Sequence, residues 1–285
     1  MIDKFTARNR LITRDNLAIF YFIDYPTNAK KTFQVLHPGA SMNHTSLIPL
    51  ADEFVKSGYP VLVVEPRGVG HSDKPNKRQS YDLPRYSEDL EDIIKKEGIE
   101  KPDLLGHSAG FMPEVDYAVK AKNASRIVGI STSYCFAESY ANKNMLWVYD
   151  NLLRYCEYLG SMVGTLRHLI RGEKRPYSDQ SDMAKYGALR TFLQIVDVPF
   201  EEINAHIISG KNILKWGIKP QLQKLNRPAL LIQGKNDQFL GKETGSYIQR
   251  LGSENFVLRY LPGDHTLPLK NPKLVSETIR RWYRN

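Results

Sequence analysis

The chain of 285 residues is long enough for one large α/β domain or two smaller ones, and its composition (41% hydrophobic, 25% charged) is ordinary for a soluble protein. No apolar run approaches the roughly 20 residues that span a bilayer, and residues 1–6 have no apolar secretion core, so we expect a cytoplasmic protein without membrane attachment. Two cysteines do not make a disulfide framework, and no Cys/His spacing indicates a metal site.

The formal net charge of +9 raises the question of a polyanionic partner. The basic residues are spread along the chain, however, and the densest clusters, at 167–175 and 280–284, are interrupted by apolar or acidic residues. No zinc finger, aromatic RNA-binding signature or basic zipper is present. We therefore expect a solvated basic surface, no nucleic-acid partner, and a monomer or homodimer.

The first third of the chain alternates strand patterns with helical patterns. Residues 61–64 form a continuous apolar run, which is typical of a strand covered on both faces. The predicted elements, in chain order, are strands 5–12 and 17–23, which form a hairpin around residues 13–16, a strand 32–36, a helix that begins near Leu47 and is ended by Gly58, a strand 61–64, a helix 86–97, a strand 103–105, a helix 113–122 and a strand 126–131.

Helical periodicity replaces this alternation over residues 134–219. Apolar residues recur at steps of three and four between Leu146 and Leu169, which predicts a long amphipathic helix or a pair of helices. A second helical stretch covers residues 183–195. We predict that residues 134–219 form a helical cap domain.

Strand patterns return after the helical block. They cover residues 229–233 and 256–260, and a last helix is predicted over 272–283. An all-helical block that interrupts a series of strands and helices indicates an insertion into a parallel α/β sheet. We therefore predict a core domain made of residues 1–133 and 220–285.

The pentad Gly-His-Ser-Ala-Gly at residues 106–110 is the most informative motif. It fits G-x-S-x-G, a turn that joins a buried strand to a helix and leaves one serine at its apex. Such a turn strains the backbone of its central residue, so bulky residues two positions before or after would collide with it. Ser108 is therefore the candidate nucleophile. The alternative is a serine in an ordinary loop bounded by glycines.

A serine hydroxyl needs a base, normally a histidine held by a carboxylate. The strand at 229–233 leads to Asp237, and the strand at 256–260 leads to His265. Loops at the carboxyl ends of parallel strands share one edge of the sheet, and the order Ser, Asp, His is the one expected after this turn. Asp237 could instead be an ordinary turn former. Asp264 is a weaker candidate for the acid, because a neighbour of His265 cannot easily reach its ring nitrogen.

Acyl transfer also builds negative charge on the substrate oxygen, which backbone N–H groups can stabilise. Ala109, directly after the candidate nucleophile, offers one such group. The second is expected from the loop 37–42, where Pro38 has no N–H and so leaves Gly39 or Ala40. This loop could also be a plain Pro-Gly turn.

Three further residues are candidates for substrate binding. His107 and Phe111 flank the candidate nucleophile, and each either contacts substrate or packs beside the turn. Trp147 belongs to a set of aromatic residues in the cap segment. These rings predict a mainly apolar pocket; the alternative is that most of them form the core of the cap.

Taken together, the chain resembles the α/β-hydrolase fold superfamily. The matching motifs are residues 37–39, 66–73, 106–110, 234–237 and 263–265. The resemblance implies a mostly parallel eight-stranded sheet flanked by helices, with an inserted helical cap. It also implies an architectural role for the loop 66–73, which is similar to that of esterases, dehalogenases, epoxide hydrolases and carbon–carbon bond hydrolases. The sequence departs from the family pattern at Pro38, where glycine is usual, and at Glu65, where aspartate is common.

The residue at the apex of the turn, position 108, decides between classes of reaction. Dehalogenases and epoxide hydrolases of this fold use aspartate there, whereas position 108 is serine. The leading hypothesis is therefore hydrolysis of a small to medium, largely apolar carboxylic ester through an acyl-enzyme, without a cofactor. The same three residues would also suit a carbon–carbon bond hydrolase, a lactonase, an amidase or an acyltransferase. A non-enzymatic, ligand-binding relative is the alternative of another class.

Overall fold

The computed structural model describes residues 8–139, 200–252 and 254–284. A sheet of eight strands lies at its centre, in the order β1-β2-β4-β3-β5-β6-β7-β8. The strands are β1 (Arg8–Ile12), β2 (Ala18–Asp24), β3 (Gln34–His37), β4 (Val61–Glu65), β5 (Asp103–His107), β6 (Arg126–Ile130), β7 (Ala229–Gly234) and β8 (Phe256–Leu261). Strand β2 pairs antiparallel with β1 and with β4, and all neighbouring pairs from β4 to β8 are parallel. The predicted mostly parallel eight-stranded sheet is confirmed.

Helices cover both faces of this sheet. They are α1 (Ile48–Lys56), α2 (Leu83–Lys96), α3 (Phe111–Ala121), α4 (Phe136–Ser139), α5 (Phe200–Ile213), α6 (Lys219–Lys224), α7 (Thr244–Leu251), α8 (Leu267–Lys270) and α9 (Pro272–Trp282). Short 3-10 turns occur at His44–Ser46, Arg78–Tyr81 and Ser108–Gly110. Helix α2 packs against α3, and α1 packs against α9.

The apolar run of β4 shows how the sheet separates two cores. Val61 and Val63 pack into the cluster that contains the apolar faces of α1 and α9. Leu62 and Val64 point the other way, into the cluster that contains α2 and α3. Successive side chains of a strand alternate between its faces, so a strand covered on both sides needs apolar residues at every position. This is why residues 61–64 are all apolar.

The register places the end of β5 in the middle of one sheet edge. Gly106 lies opposite His37 of β3 on one side and opposite Gly129 of β6 on the other. Because these strands are parallel, the loops that follow β3, β5, β6, β7 and β8 all leave at the same edge. The candidate residues in those loops are therefore brought to one region.

Most predicted elements agree with the structure to within a few residues, and the differences lie at the ends of strands and helices. Strand β3 is Gln34–His37 instead of 32–36, and β5 is Asp103–His107 instead of 103–105. Helix α2 begins at Leu83 instead of residue 86, and α3 begins at Phe111 instead of residue 113. In both cases a proline lies in the first turn, where its missing N–H costs no hydrogen bond. Helix α7 was not predicted.

Within residues 134–219, the structure describes 134–139 and 200–219. Helices α4, α5 and α6 stand between β6 and β7 along the chain, so helical segments interrupt the series of strands as predicted. Trp147 and the helix predicted at 183–195 lie outside the described residues. The division into a core and a cap domain stays a prediction. In the described part of the chain, no helix combines the length and apolarity needed to cross a bilayer.

Candidate active site

Ser108 stands at the apex of a tight turn between β5 and α3. Its backbone is in the left-handed region, with φ of 52°. A Cβ added at Gly106 would lie 2.2 Å from the Cα of Phe111, and one at Gly110 would lie 2.3 Å from the carbonyl oxygen of His37. Both contacts are with backbone atoms, which cannot move aside without distorting the turn. The glycines of the pentad are therefore required by close approach of the main chain.

Ser108, His265 and Asp237 are joined by hydrogen bonds. His265 Nδ1 lies 2.8 Å from Asp237 Oδ2, and His265 Nε2 lies 3.0 Å from Ser108 Oγ. A carboxylate only accepts, so Nδ1 carries the hydrogen and donates it to Asp237. This tautomer leaves Nε2 as the acceptor for the hydroxyl of Ser108. The three residues predicted from separate loops thus meet at distances suited to proton transfer.

The loop after β7 is held by the second oxygen of Asp237. Oδ1 accepts hydrogen bonds from the backbone N–H groups of Phe239, at 2.9 Å, and Leu240, at 3.1 Å. Asp264 has other partners, because its carboxylate accepts from Thr266 and from Lys270 Nζ. Burial favours the neutral form of Asp264, but the hydrogen bonds from Lys270 and Thr266 outweigh it and lower its pKa to about 2. Asp237, and not Asp264, is therefore the partner of His265.

A residue that the sequence interpretation missed supports the turn. The hydroxyl of Thr132 donates to the main-chain carbonyl of Ser108 at 2.8 Å. Gln233, near the end of β7, donates in turn to the carbonyl of Thr132 at 3.0 Å. Thr132 follows β6 at the same sheet edge as the other loops, and this position was the signal that could have identified it.

The loop after β3 lies directly against the turn. A Cβ at Gly39 would be 3.1 Å from the Cβ of Ser108, so the backbone of this loop approaches the candidate nucleophile closely. Gly39, Ala40 and Ala109 line the same cleft. The structure thus brings the three candidates for oxyanion binding together at one cleft.

The same cleft has aromatic and apolar walls. Tyr86 and Trp216 meet edge to face, with ring centroids 4.9 Å apart, and Met42 and Ile213 line the same cleft. His37 also lines the cleft, and its Nδ1 donates to the carbonyl of Pro38 at 3.0 Å. Burial lowers the pKa of His37 to about 4, against the opposing effect of this hydrogen bond, so the ring is neutral near pH 7.

His107 and Phe111 take other roles than the predicted contact with substrate. Phe111 has no exposed surface, and its ring occupies the space where a side chain at Gly129 would lie. His107 is 2% exposed, and its Nε2 donates to the main-chain carbonyl of His265 at 2.9 Å. Both side chains are enclosed by the protein, so the expectation that they contact substrate is corrected.

Buried charges hold the loop after β4. Arg67 forms a bidentate ion pair with Asp89, at 2.7 and 2.5 Å, and also binds Asp15 at 2.8 Å. Glu65 is fully buried and accepts from His44 Nδ1 at 2.7 Å and from His71 Nδ1 at 2.9 Å. Burial would raise the pKa of Glu65, but these hydrogen bonds lower it to about 2. These ion pairs and hydrogen bonds join separate segments of the fold, which agrees with the architectural role expected for the loop 66–73.

An eight-stranded, mostly parallel sheet with this turn at its carboxyl edge defines an α/β hydrolase. A model of the alpha/beta hydrolase fold family matches residues 35–157 of the chain. That match and the fold of the described residues together support a place in the α/β-hydrolase fold superfamily. In the described residues, no group of three or more histidine, cysteine, aspartate or glutamate side chains is arranged to hold a metal ion.

Known relatives and structures carry several hydrolase names. The chain is 28% identical to the proline iminopeptidase of Saccharolobus solfataricus over 238 residues, which is 77% of this chain and 74% of that protein. It is 23% identical to epoxide hydrolase 4 of Mus musculus over 79% of this chain and 65% of that protein. The crystal structure of the enol-lactonase from Burkholderia xenovorans LB400 covers 97% of this chain and 100% of its own, with a TM-score of 0.73 at 17% identity. That similarity concerns the fold alone.

Proposed function

We propose that the protein is a serine hydrolase that cleaves carboxylic esters. The observation that carries the proposal is the continuous chain of hydrogen bonds from Asp237 through His265 to Ser108, at 2.8 and 3.0 Å. An acceptor nitrogen that faces a serine hydroxyl, in a ring held by a carboxylate, is the arrangement that nucleophilic acyl transfer needs.

In the acylation step, Ser108 Oγ attacks the ester carbonyl carbon while His265 Nε2 takes the hydroxyl proton. The carbonyl oxygen becomes an oxyanion, which the backbone N–H groups of Ala109 and of Gly39 or Ala40 receive. The tetrahedral intermediate then collapses, the bond to the alkoxy oxygen breaks, and His265 gives its proton to that oxygen. Asp237 stabilises the imidazolium that exists between these transfers.

Deacylation repeats the sequence with water as the nucleophile. His265 Nε2 takes a proton from water, and the hydroxide attacks the acyl carbon on Ser108. The bond to Oγ breaks, and Oγ recovers the proton from His265. The overall reaction consumes one ester and one water and releases an acid and an alcohol, so it requires no cofactor.

The lining of the cleft supports a largely apolar acyl group, and its small to medium size stays a prediction. The walls of the cleft include Tyr86, Trp216, Ile213 and Met42. Apolar walls favour an alkyl or aryl chain, since burial of apolar surface is the main source of affinity in such pockets. A cytoplasmic location and a monomeric or dimeric state, with no nucleic-acid partner, stay predictions.

A panel of p-nitrophenyl esters of graded acyl length tests the proposal. We expect turnover of short or medium acyl chains by the wild type and loss of essentially all activity in Ser108→Ala. A labelled fluorophosphonate should modify the wild type at Ser108 and leave the variant unlabelled. Equal turnover by both proteins, or no labelling of the wild type, would contradict the proposal and favour a binding protein.

Amide cleavage is the second candidate, favoured by the similarity to a proline iminopeptidase. The same three residues would act, with the leaving group now an amine that His265 protonates. Proline p-nitroanilide and p-nitrophenyl acetate separate the two functions, because both release a chromogenic product. A higher kcat/KM for the anilide would make peptide bonds, and not esters, the substrate.

A further inference from the structure

An exposed aromatic ring lies beside His265. The rings of Phe239 and His265 have centroids 5.0 Å apart and are inclined at 54°. Phe239 remains 45% exposed, although large apolar side chains are usually covered. Its backbone N–H donates to Asp237 Oδ1 at 2.9 Å, so the carboxylate that orients His265 also fixes the main chain that carries this ring.

The proposed chemistry determines which part of an ester passes this ring. His265 Nε2 has to come within hydrogen-bond reach of the alkoxy oxygen in order to protonate it. The substituent on that oxygen therefore lies next to the imidazole. The cleft assigned to the acyl side contains Gly39, Ala40 and Ala109 in its described lining, but neither His265 nor Phe239. Ser108 is also outside that lining and adjoins it through Gly39.

In the part of the chain that the structure describes, two rings contact the imidazole of His265, and they differ in exposure to solvent. The ring of His107 has its centroid 5.3 Å from that of His265, but it is 2% exposed and enclosed by the protein. Phe239 is at a similar distance and faces outward. A leaving group that approaches His265 can therefore touch Phe239, whereas His107 is closed to it.

We propose that Phe239 forms the wall of a leaving-group subsite that selects esters of flat, apolar alcohols such as benzyl-type alcohols. This inference rests on the proposed ester hydrolysis. An aromatic leaving group would cover the exposed face of Phe239 and remove apolar surface of both partners from water. Two aromatic rings also gain from offset or edge-to-face contact. Together these effects correspond to about tenfold in kcat/KM.

Benzyl butyrate and propyl butyrate test the subsite. Both are esters of primary alcohols and share one acyl group, so deacylation is identical and kcat/KM compares the acylation step. We expect the wild type to prefer the benzyl ester by about tenfold. The preference should fall close to one in Phe239→Ala and persist in Phe239→Tyr, which keeps the ring.

Tyr25→Ala is the matched control. Tyr25 is 59% exposed and follows Asp24, which pairs with Val61 at the start of β4, so it lies at the sheet edge opposite to Ser108. Its removal should leave both rates and their ratio unchanged. Suppose that Phe239→Ala hydrolyses both esters with the same ratio of kcat/KM as the wild type. That result would overturn the subsite and leave the proposed function intact. No hydrolysis of either ester by the wild type, together with no fluorophosphonate labelling of Ser108, would overturn both.

Discussion

His107 Nε2 donates a hydrogen bond to the main-chain carbonyl of His265, over 2.9 Å. The residue that precedes the candidate nucleophile thus holds the segment that carries the candidate base. Burial, and then the proximity of His265, lowers the pKa of His107 to about 3, so the ring stays neutral near pH 7 and does not compete for the proton. The geometry indicates a positioning residue.

The first prediction concerns this contact. His107→Leu keeps apolar bulk but removes the donor, so the segment that carries His265 loses an anchor. We expect kcat for a short p-nitrophenyl ester to fall by about 10- to 100-fold with little change in KM, since misplacement of the base affects the transition state most. His107→Gln, whose amide nitrogen can reach the same carbonyl, should recover part of the loss. Steady-state kinetics measure both, and a wild-type kcat in His107→Leu would refute the role.

The second prediction separates the two neighbouring aspartates. Asp237→Asn should lower kcat by about 10⁴-fold, because an amide that donates to the ring stabilises the wrong tautomer of His265. Asp264→Asn is the matched control, because that side chain pairs with Lys270 and Thr266. Its effect on kcat should stay within about threefold. Similar losses in both variants would show that the carboxylates act together.

The third prediction concerns the turn at Ser108. Gly106→Ala would place a Cβ 2.2 Å from the backbone of Phe111, so we expect a loss of at least about 3 kcal/mol in the free energy of unfolding. Gly217→Ala is the control, since a Cβ there meets nothing within 4 Å in the described chain. Urea denaturation followed by circular dichroism compares the two. A Gly106→Ala protein as stable as the control variant would exclude the steric explanation.

The fourth prediction concerns a buried acid in α3. Glu114 has no exposed surface, and neither of its oxygens accepts a hydrogen bond of normal geometry from the residues that the structure describes. Burial raises its pKa well above the usual 4.5, more than the amide of Leu105 lowers it. Below that usual value the carboxyl is protonated in both states. Above it the unfolded chain ionises while the folded protein does not, so this group reduces stability as pH rises.

We therefore expect Glu114→Met to be more stable than the wild type by about 1 to 3 kcal/mol at neutral pH, since it replaces an unsatisfied buried polar group. The gain should shrink as pH falls toward 4.5, the usual pKa of a glutamate. Urea denaturation at several pH values measures it. Glu100→Met, at an exposed position, is the control and should not show this trend. A gain that does not vary with pH would indicate that the carboxyl is ionised in the folded protein.

The sequence was sufficient to predict the sheet and the meeting of Ser108, Asp237 and His265. These rest on local signals: a five-residue turn, apolar runs, and loops that follow strands. The position of Thr132 after β6 places it at the same sheet edge, but its hydrogen bond to Ser108 and the partner of His107 depend on how β5, β6 and the last loop come together. No local pattern encodes those pairs. Phe111 shows the same limit, because whether it lines a pocket or fills the space above Gly129 depends on a strand more than fifteen residues away.

The hydrogen bonds that Asp237 accepts from the loop after β7 limit which residues can stand at positions 239 and 240. The carboxylate holds the main chain at Phe239 and Leu240, and not their side chains. Most amino acids supply the same backbone N–H, so Phe239 can be replaced without loss of its hydrogen bond to Asp237. Proline is the exception, since it has no hydrogen to offer. Libraries of variants at position 239 can thus change recognition of the departing alcohol while Asp237, His265 and Ser108 keep their positions.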